Sequence, residues 1–212
     1  MASVPSYVDR LNADPEWAFQ EGSLHFEDKS AVQKTLRKIT ARLTELGIPH
    51  VVAGAMALYR HGFRRFTEDV DLLVTRDGLK AIHDALDGLG YLRVFKGSKK
   101  MRDTETGVHI DFLITGDYPG DGKPKPVAFP EPNEAGISMD GVNVLSLPHL
   151  IELKLASGMT NANRLKDLAD VLEIIKVLKL ESSYAELLSF YVRPKFAELW
   201  QVAAMADPAE DY

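Results

Sequence analysis

The chain has 212 residues, enough for one domain or for one domain with a helical appendage. Hydrophobic residues make up 45% and charged residues 26%, so there is apolar mass for a real core. The absence of cysteine excludes disulfides, thiolate metal sites and thiol nucleophiles, and fits a reducing compartment. With 25 Lys+Arg against 31 Asp+Glu the net charge is −6, which argues against long duplex nucleic acid as partner but admits an anionic ligand bound at one spot.

Met1 to Arg10 has no basic region followed by an apolar run, and no stretch approaches the roughly 18 apolar residues of a membrane span. The expectation is a cytoplasmic protein without membrane contact. Residues 1 to 28 have no clean period and contain Pro5, Pro15 and Gly22, so they read as an irregular arm pinned by Trp17 and Phe19. From Ser30 the pattern turns helical, with Val32, Leu36, Ile39, Leu43 and Leu46 on one face, Ser30 as N-cap and Gly47 as the stop.

A short apolar run, 48 to 53, leads to Gly54 and a helix of small residues, Ala55 to His61. Glu68 to Val74 reads as a strand. Leu79, Ile82, Leu86 and Leu89 mark an amphipathic helix closed by Gly90, and strands are expected at 91 to 95 and 108 to 114. Residues 116 to 136 contain Pro119, Pro124, Pro126, Pro130 and Pro132 and no strand or helix pattern; such a connection is often functional, and an acceptor-side lid is the expectation. Asp140-Gly141 between two short apolar runs predicts a hairpin. Helices follow around Leu150 to Leu155, from about Asn163 to Lys179, and from Ser182 or Ser183, the last broken or kinked by Pro194. The fold class is therefore α/β (α+β), a small mixed sheet flanked by helices with a helical C-terminal part. The expected division is an arm over 1–29, a core over 30–146 and a helical region over 147–212 packed on that core.

The informative segment is Thr67-Glu68-Asp69-Val70-Asp71-Leu72-Leu73-Val74. Side chains alternate along a strand, so Asp69 and Asp71 share a face. Two same-sided aspartates repel, and aspartate is depleted in strands. A divalent cation reverses that cost, because hard carboxylate oxygens are what Mg²⁺ takes, with phosphates and water completing its shell. The plain alternative is a solvated strand end. Asp111 stands inside a second apolar strand, where Val108, Ile110, Phe112 and Ile114 form one face and His109 and Asp111 the other. It could accept a proton from an attacking hydroxyl or ligate metal. Upstream, Gly54 and Ala55 open a helix, where backbone N–H groups can receive a phosphate; a tight packing turn is the alternative.

These residues together resemble the nucleotidyltransferase superfamily: Gly54-Ala55, then Asp69-Val70-Asp71, then Asp111 on a later strand. Arg65, Thr67, Asp69 and Asp71 match the R-x-T-x-D-x-D segment of its AbiEii-like branch. Leu147, Leu150 and Lys154, followed by Arg164, Lys166, Asp167 and Asp170, are similar to its L-x-x-L-x-x-x-K … R-x-K-D-x-x-D pattern. The likeness covers roughly residues 30 to 180. It departs at Ala55, where the family usually has Gly or Ser, so a hydroxyl contact to phosphate is lost.

The resemblance implies a nucleotidyltransferase fold and metal-dependent transfer of a nucleoside monophosphate from a nucleoside triphosphate. Asp69, Asp71 and Asp111 would be catalytic and hold Mg²⁺ or Mn²⁺, while Gly54, Ala55, Arg65, Thr67 and Lys154 would bind nucleotide. The acceptor is left open among a small molecule, a protein side chain and an RNA end. A toxin–antitoxin or phage-defence setting follows from the same likeness, with an antitoxin as partner, and the helical C-terminal third is a candidate homodimer surface. The competing reading is an inactive module of this fold that binds nucleotide or a protein. Lys154 lies among Leu150, Ile151, Leu153 and Leu155, where it either reaches a phosphate or snorkels to the surface; Asp167 and Asp170 either orient it or make simple i,i+3 and i,i+4 pairs along their own helix, the latter being the expectation for Asp170.

Overall fold

A computed structural model describes residues 5–205. The chain divides into two compact units. The first takes the described residues up to Arg60, then Arg64–Thr115 and Glu131–Leu145; the second takes His61–Phe63, Gly116–Pro130 and the described residues from Ser146 on.

The first unit contains a seven-stranded mixed sheet in the order β3-β4-β5-β2-β1-β7-β6. Its strands are β1 (His50–Val52), β2 (Asp69–Val74), β3 (Tyr91–Arg93), β4 (Lys100–Asp103), β5 (His109–Ile114), β6 (Gly136–Met139) and β7 (Val142–Leu145). β2 runs parallel to β5 and antiparallel to β1, so the two aspartate-bearing strands are neighbours. The six strand residues 109–114 alternate half-buried and buried, which puts Ile110, Phe112 and Ile114 in the core and His109 and Asp111 on the other face. The hairpin falls where Asp140-Gly141 predicts it, with φ of 50° and 76° at the two central residues, the positive pair that a type I′ turn requires.

The predicted amphipathic helix is α3 (Ala31–Glu45). Ser30 caps it by accepting a bond from the Gln33 N–H, and Gly47 follows at φ 66°. Val32, Leu36, Ile39 and Leu43 are fully buried in the core, each worth about 1.5–3 kcal/mol of burial; Leu46 is more than a third exposed. Then come α4 (Gly54–Arg60) after β1 and α5 (Arg76–Leu86) after β2.

Several expectations are corrected. Residues 1 to 28 are not an irregular arm: from Tyr7 they form α1 (Tyr7–Ala13) and α2 (Pro15–Phe26), capped by the side chains of Ser6 and Asp14 with Pro15 at the helix start. Their anchor is Tyr7, buried with its hydroxyl donating to Glu21 Oε2 at 3.1 Å; Trp17 packs edge-on against it, whereas Phe19 is exposed. α5 ends at Leu86, and Leu89 lies beyond it in solvent. A strand absent from the sequence reading, β4, lies between β3 and β5. The connection 116 to 136 is structured at its end, where α6 (Pro132–Ala135) precedes β6.

The second unit is helical, with α7 (Leu147–Thr160), α8 (Leu165–Val177) and α9 (Arg193–Met205). Residues 182–187 form 3₁₀ turns rather than the start of a long helix. Pro194 is the second residue of α9, so it starts that helix instead of breaking one, as its fixed φ and missing N–H favour. The proline-rich segment closes on itself: Gly116 N–H donates to Phe129 O and Phe129 N–H to Asp117 O. Inside it the almost buried Lys125 ammonium donates to Pro119 O and Asp121 Oδ1, both at 2.6 Å. Among the described residues no helix is long and apolar enough to cross a membrane.

Candidate active site

The parallel register of β2 and β5 sets Asp71 opposite Asp111 and Asp69 opposite His109. Paired residues on adjacent strands project to the same side, so the alternation that places Ile110 and Val70 in the core brings three carboxylates together on the other face. One carboxylate oxygen from each of Asp69, Asp71 and Asp111 lies within 4.8 Å of the other two, and all three residues are half-buried. Left alone, three clustered carboxylates would repel one another strongly.

Each member of the trio is held separately. Thr67, itself buried, donates its hydroxyl to Asp69 Oδ1 at 2.7 Å. Asp71 packs against Gly54: a β-carbon on Gly54 would sit 1.8 Å from Asp71 Oδ2 and 2.7 Å from its carboxyl carbon. Gly54 also has a φ of 57°, a conformation glycine adopts without penalty, and the adjacent Ala53 N–H donates to Asp71 O. The glycine thus serves both as the turn into α4 and as the space that the Asp71 carboxylate fills. Asp111 Oδ2 accepts the Lys100 ammonium at 2.5 Å, while its Oδ1 is buried with no hydrogen-bond partner among the described residues.

These features fit a divalent cation. A buried, unpartnered carboxylate oxygen is costly, three oxygens converge within ligand range, and the donor set is all hard oxygen. Asp69, Asp71 and Asp111 are the residues that would hold it.

Of the other predicted residues, Ala55 is buried in the first turn of α4 beside Gly54. Arg65 donates from Nη1 to Phe66 O at 3.1 Å, and its own carbonyl accepts the ring nitrogen Nε2 of His25 at 3.1 Å. Lys154 belongs to the second unit. Its buried ammonium donates to Asp167 Oδ1 at 2.9 Å and Asp170 Oδ2 at 2.7 Å, and Ser157 donates to Asp167 Oδ2 at 2.7 Å. The lysine thus pairs with both aspartates of α8, and Asp170 joins it rather than only pairing along its own helix.

Two supporting residues escape the sequence reading. In the sequence Lys100 is one of four basic residues close together, Lys96, Lys99, Lys100 and Arg102, and only the β4–β5 register reveals that it stands opposite Asp111. His25 lies in a stretch without periodicity, yet it is fully buried and its ring meets Phe66 edge-on at 5.2 Å. Because a carbonyl only accepts, Nε2 carries the proton toward Arg65 O, and Nδ1 faces Ser30 Oγ at 3.4 Å. His25 thereby fixes the segment that delivers Thr67 and Asp69 into β2. Burial pushes its pKa down, outweighing the raising effects of the Arg65 carbonyl, Asp28 and Glu21.

No family model matches the chain, and no curated sequence matches it significantly. Among solved structures it is similar to TM1012 of Thermotoga maritima, provisionally named a nucleotidyltransferase, at 19% identity over 66% of this chain and 91% of that one, with a TM-score of 0.46. It is similar to JHP933 of Helicobacter pylori at 18% identity over 84% and 80%, with a TM-score of 0.44. It is similar to the antibiotic-resistance factor ANT(2'')-Ia at 14% identity over 81% and 96%, with a TM-score of 0.49. A structure of ANT(2'')-Ia also exists in complex with adenylyl-2''-tobramycin. These are likenesses of fold.

Proposed function

We propose that the chain is a metal-dependent nucleotidyltransferase that moves a nucleoside monophosphate from a triphosphate to an acceptor hydroxyl. The observation that carries this reading is the convergence of Asp69, Asp71 and Asp111 within 4.8 Å, with Gly54 against Asp71. Mg²⁺ or Mn²⁺ held by the three carboxylates supplies charge neutralisation and a template for in-line displacement. The protein's own contribution is positioning. Thr67 and Gly54 fix the two β2 carboxylates. The first-turn backbone of α4, at Gly54 and Ala55, offers N–H groups toward phosphate. Arg65 borders the same segment as a nucleotide contact. Lys154, of the second unit, is a proposed nucleotide contact on the likeness of its segment to the family pattern alone.

In the reaction the acceptor oxygen bonds to the α-phosphorus as the bond to the bridging oxygen breaks. Pyrophosphate leaves with that electron pair, and the acceptor proton passes to a carboxylate, for which Asp111 is the candidate. The acceptor belongs to one of three classes: a small molecule, a protein side chain or an RNA end. The likeness of Arg65, Thr67, Asp69 and Asp71 to the AbiEii-like segment supports a toxin–antitoxin or phage-defence setting, with an antitoxin as partner.

The test incubates the protein with each α-labelled triphosphate, Mg²⁺ and, in turn, total RNA, total protein and a small-molecule hydroxyl panel. Transfer of label with pyrophosphate release, absent from Asp111→Asn, supports the reading. Absence of transfer and of metal-dependent triphosphate binding alike overturns it in favour of a binding module.

A further inference from the structure

The face of the sheet that carries the carboxylates continues beyond them. Paired residues on neighbouring strands project to one side, so the register extends the row Asp69–His109 through Arg102 of β4 to Leu92 of β3, and the row Asp71–Asp111 to Lys100. From β2 outward this face passes from acidic to basic to apolar side chains. It ends at the edge strand β3, where Leu92 is exposed, as are Val94 and Phe95 just beyond. The chain then turns back through Phe95-Lys96-Gly97-Ser98. Ser98 N–H donates to Phe95 O at 3.0 Å, and Gly97 takes a φ of 84°, which favours glycine at the third position of such a turn. The turn is anchored behind its tip: Ser98 is buried and its Oγ accepts from Lys100 N–H at 3.0 Å, while Lys99 O accepts from Phe112 N–H at 2.8 Å. The tip presents Phe95, 66% exposed, next to the exposed Lys96.

The charge of this stretch is the reverse of the chain's. Between Asp87 and Asp103 stand five basic residues, Arg93, Lys96, Lys99, Lys100 and Arg102, and no acidic one, in a chain of net charge −6. Arg93 is taken by Asp87; the other four lie on β4 or in the turn that leads into it. We infer that this turn and the sheet edge beside it receive the acceptor, and that the acceptor is the end of a single-stranded RNA. The inference rests on the reading of the carboxylate trio as a transferase centre. An exposed ring next to an exposed ammonium, at the margin of a sheet face, is the chemistry that stacks an unpaired base and holds its phosphates. The basic band takes the backbone, Phe95 takes a base, and a terminal hydroxyl is directed toward Asp111, whose strand adjoins the band. A neutral small molecule would leave the band without a use. A second strand added to β3 is disfavoured, because that strand has only 3 residues and is closed by a lysine-bearing turn, two features that guard a sheet edge.

The experiment follows the fluorescence anisotropy of a short 5′-labelled single-stranded RNA of mixed sequence with the full chain, Phe95→Ala and Lys96→Ala. It is run in Mg²⁺, with and without non-hydrolysable analogues of the four triphosphates, and calorimetry of the same proteins records Mg²⁺-dependent triphosphate binding. The parent should bind the RNA, and F95A should bind about 5- to 150-fold more weakly, the loss of one stacked base. K96A should lower the slope of log K against log salt by about 0.7, one phosphate contact on a single strand. Both side chains are exposed, so both variants should fold and keep the parent's triphosphate binding. RNA binding that is absent in either condition, or equally strong in all three proteins, overturns the inference; with triphosphate binding intact, the transferase reading stands and the acceptor docks elsewhere. Dimerisation of the parent that F95A abolishes, without RNA binding, overturns it too and makes the edge a contact between copies. A parent that binds neither RNA nor Mg²⁺-triphosphate overturns both.

Discussion

Gly54 and Asp71 compete for the same space, and only glycine lets the aspartate win. A β-carbon at position 54 would fall 1.8 Å from Asp71 Oδ2 and 3.0 Å from its β-carbon, on a backbone whose φ of 57° already disfavours any other residue. The two penalties can be separated. Gly54→Ala in the parent should cost both the φ strain, about 1 kcal/mol, and the displacement of a carboxylate, and it should abolish divalent-ion binding. In an Asp71→Ala background the same substitution should cost the strain and the 3.0 Å contact with the β-carbon that alanine keeps, but not the displacement of a carboxylate. A double-mutant cycle by urea unfolding measures the difference; a coupling energy near zero would mean that the contact does not matter.

Thr67 acts on the site through Asp69. Thr67→Val keeps the volume and removes the hydroxyl that meets Oδ1 at 2.7 Å. Losing such a supporting hydrogen bond typically weakens metal binding by about 10–100-fold, so Mn²⁺ titration of T67V should fall in that range, while Thr67→Ser should stay near the parent.

Lys154 and its two aspartates form a buried charge cluster, and breaking it should be felt without any ligand. Lys154→Met leaves the Asp170 carboxylate, with 4% of its side chain exposed, facing an apolar group. The expected loss is about 3–5 kcal/mol in denaturant unfolding of the nucleotide-free protein. A loss of triphosphate affinity with unchanged stability would instead make phosphate contact its main role.

His25 makes stability depend on pH. Its pKa is lowered by burial, so the native state stays neutral in a range where the unfolded chain takes up a proton. Stability should be level above about pH 6.5, the ordinary histidine value, and should decline as pH falls below it. His83, also lowered chiefly by burial, contributes with the same sign. Thermal unfolding from pH 7.5 to 5 in the parent and in His25→Gln checks this: the glutamine can still donate to Arg65 O but does not titrate, so its profile should be flatter, from a lower starting midpoint.

The elements with strong periodicity were legible in the sequence. The stripe Val32, Leu36, Ile39, Leu43 and the alternation around Ile110 and Phe112 each have one dominant apolar face, and each folds as read. The N-terminal helices were not legible because two positions they bury, Glu21 and His25, are polar, while the apolar Phe19 faces solvent. Their only signals were the caps Ser6 and Asp14 and the proline that follows. β4 was hidden for a similar reason: Lys100-Met101-Arg102-Asp103 alternates, but it buries an aspartate, held by Lys38 and Thr35 from α3. For the site, the carboxylates could be named from β-alternation alone. The partners that tune them, Lys100 through register and Gly54 through close approach, depend on pairings between distant segments that no local pattern encodes.

The central claim is that Asp69, Asp71 and Asp111 hold a divalent ion against a triphosphate. Calorimetric titration of ATP, GTP, CTP and UTP, each with Mg²⁺, into the parent and into the double variant Asp69→Asn/Asp71→Asn tests it most directly. The account predicts binding of at least one triphosphate that requires Mg²⁺ and disappears in the variant. No binding to either protein, together with a variant more stable than the parent, would contradict it and leave the aspartates as a strained surface pair.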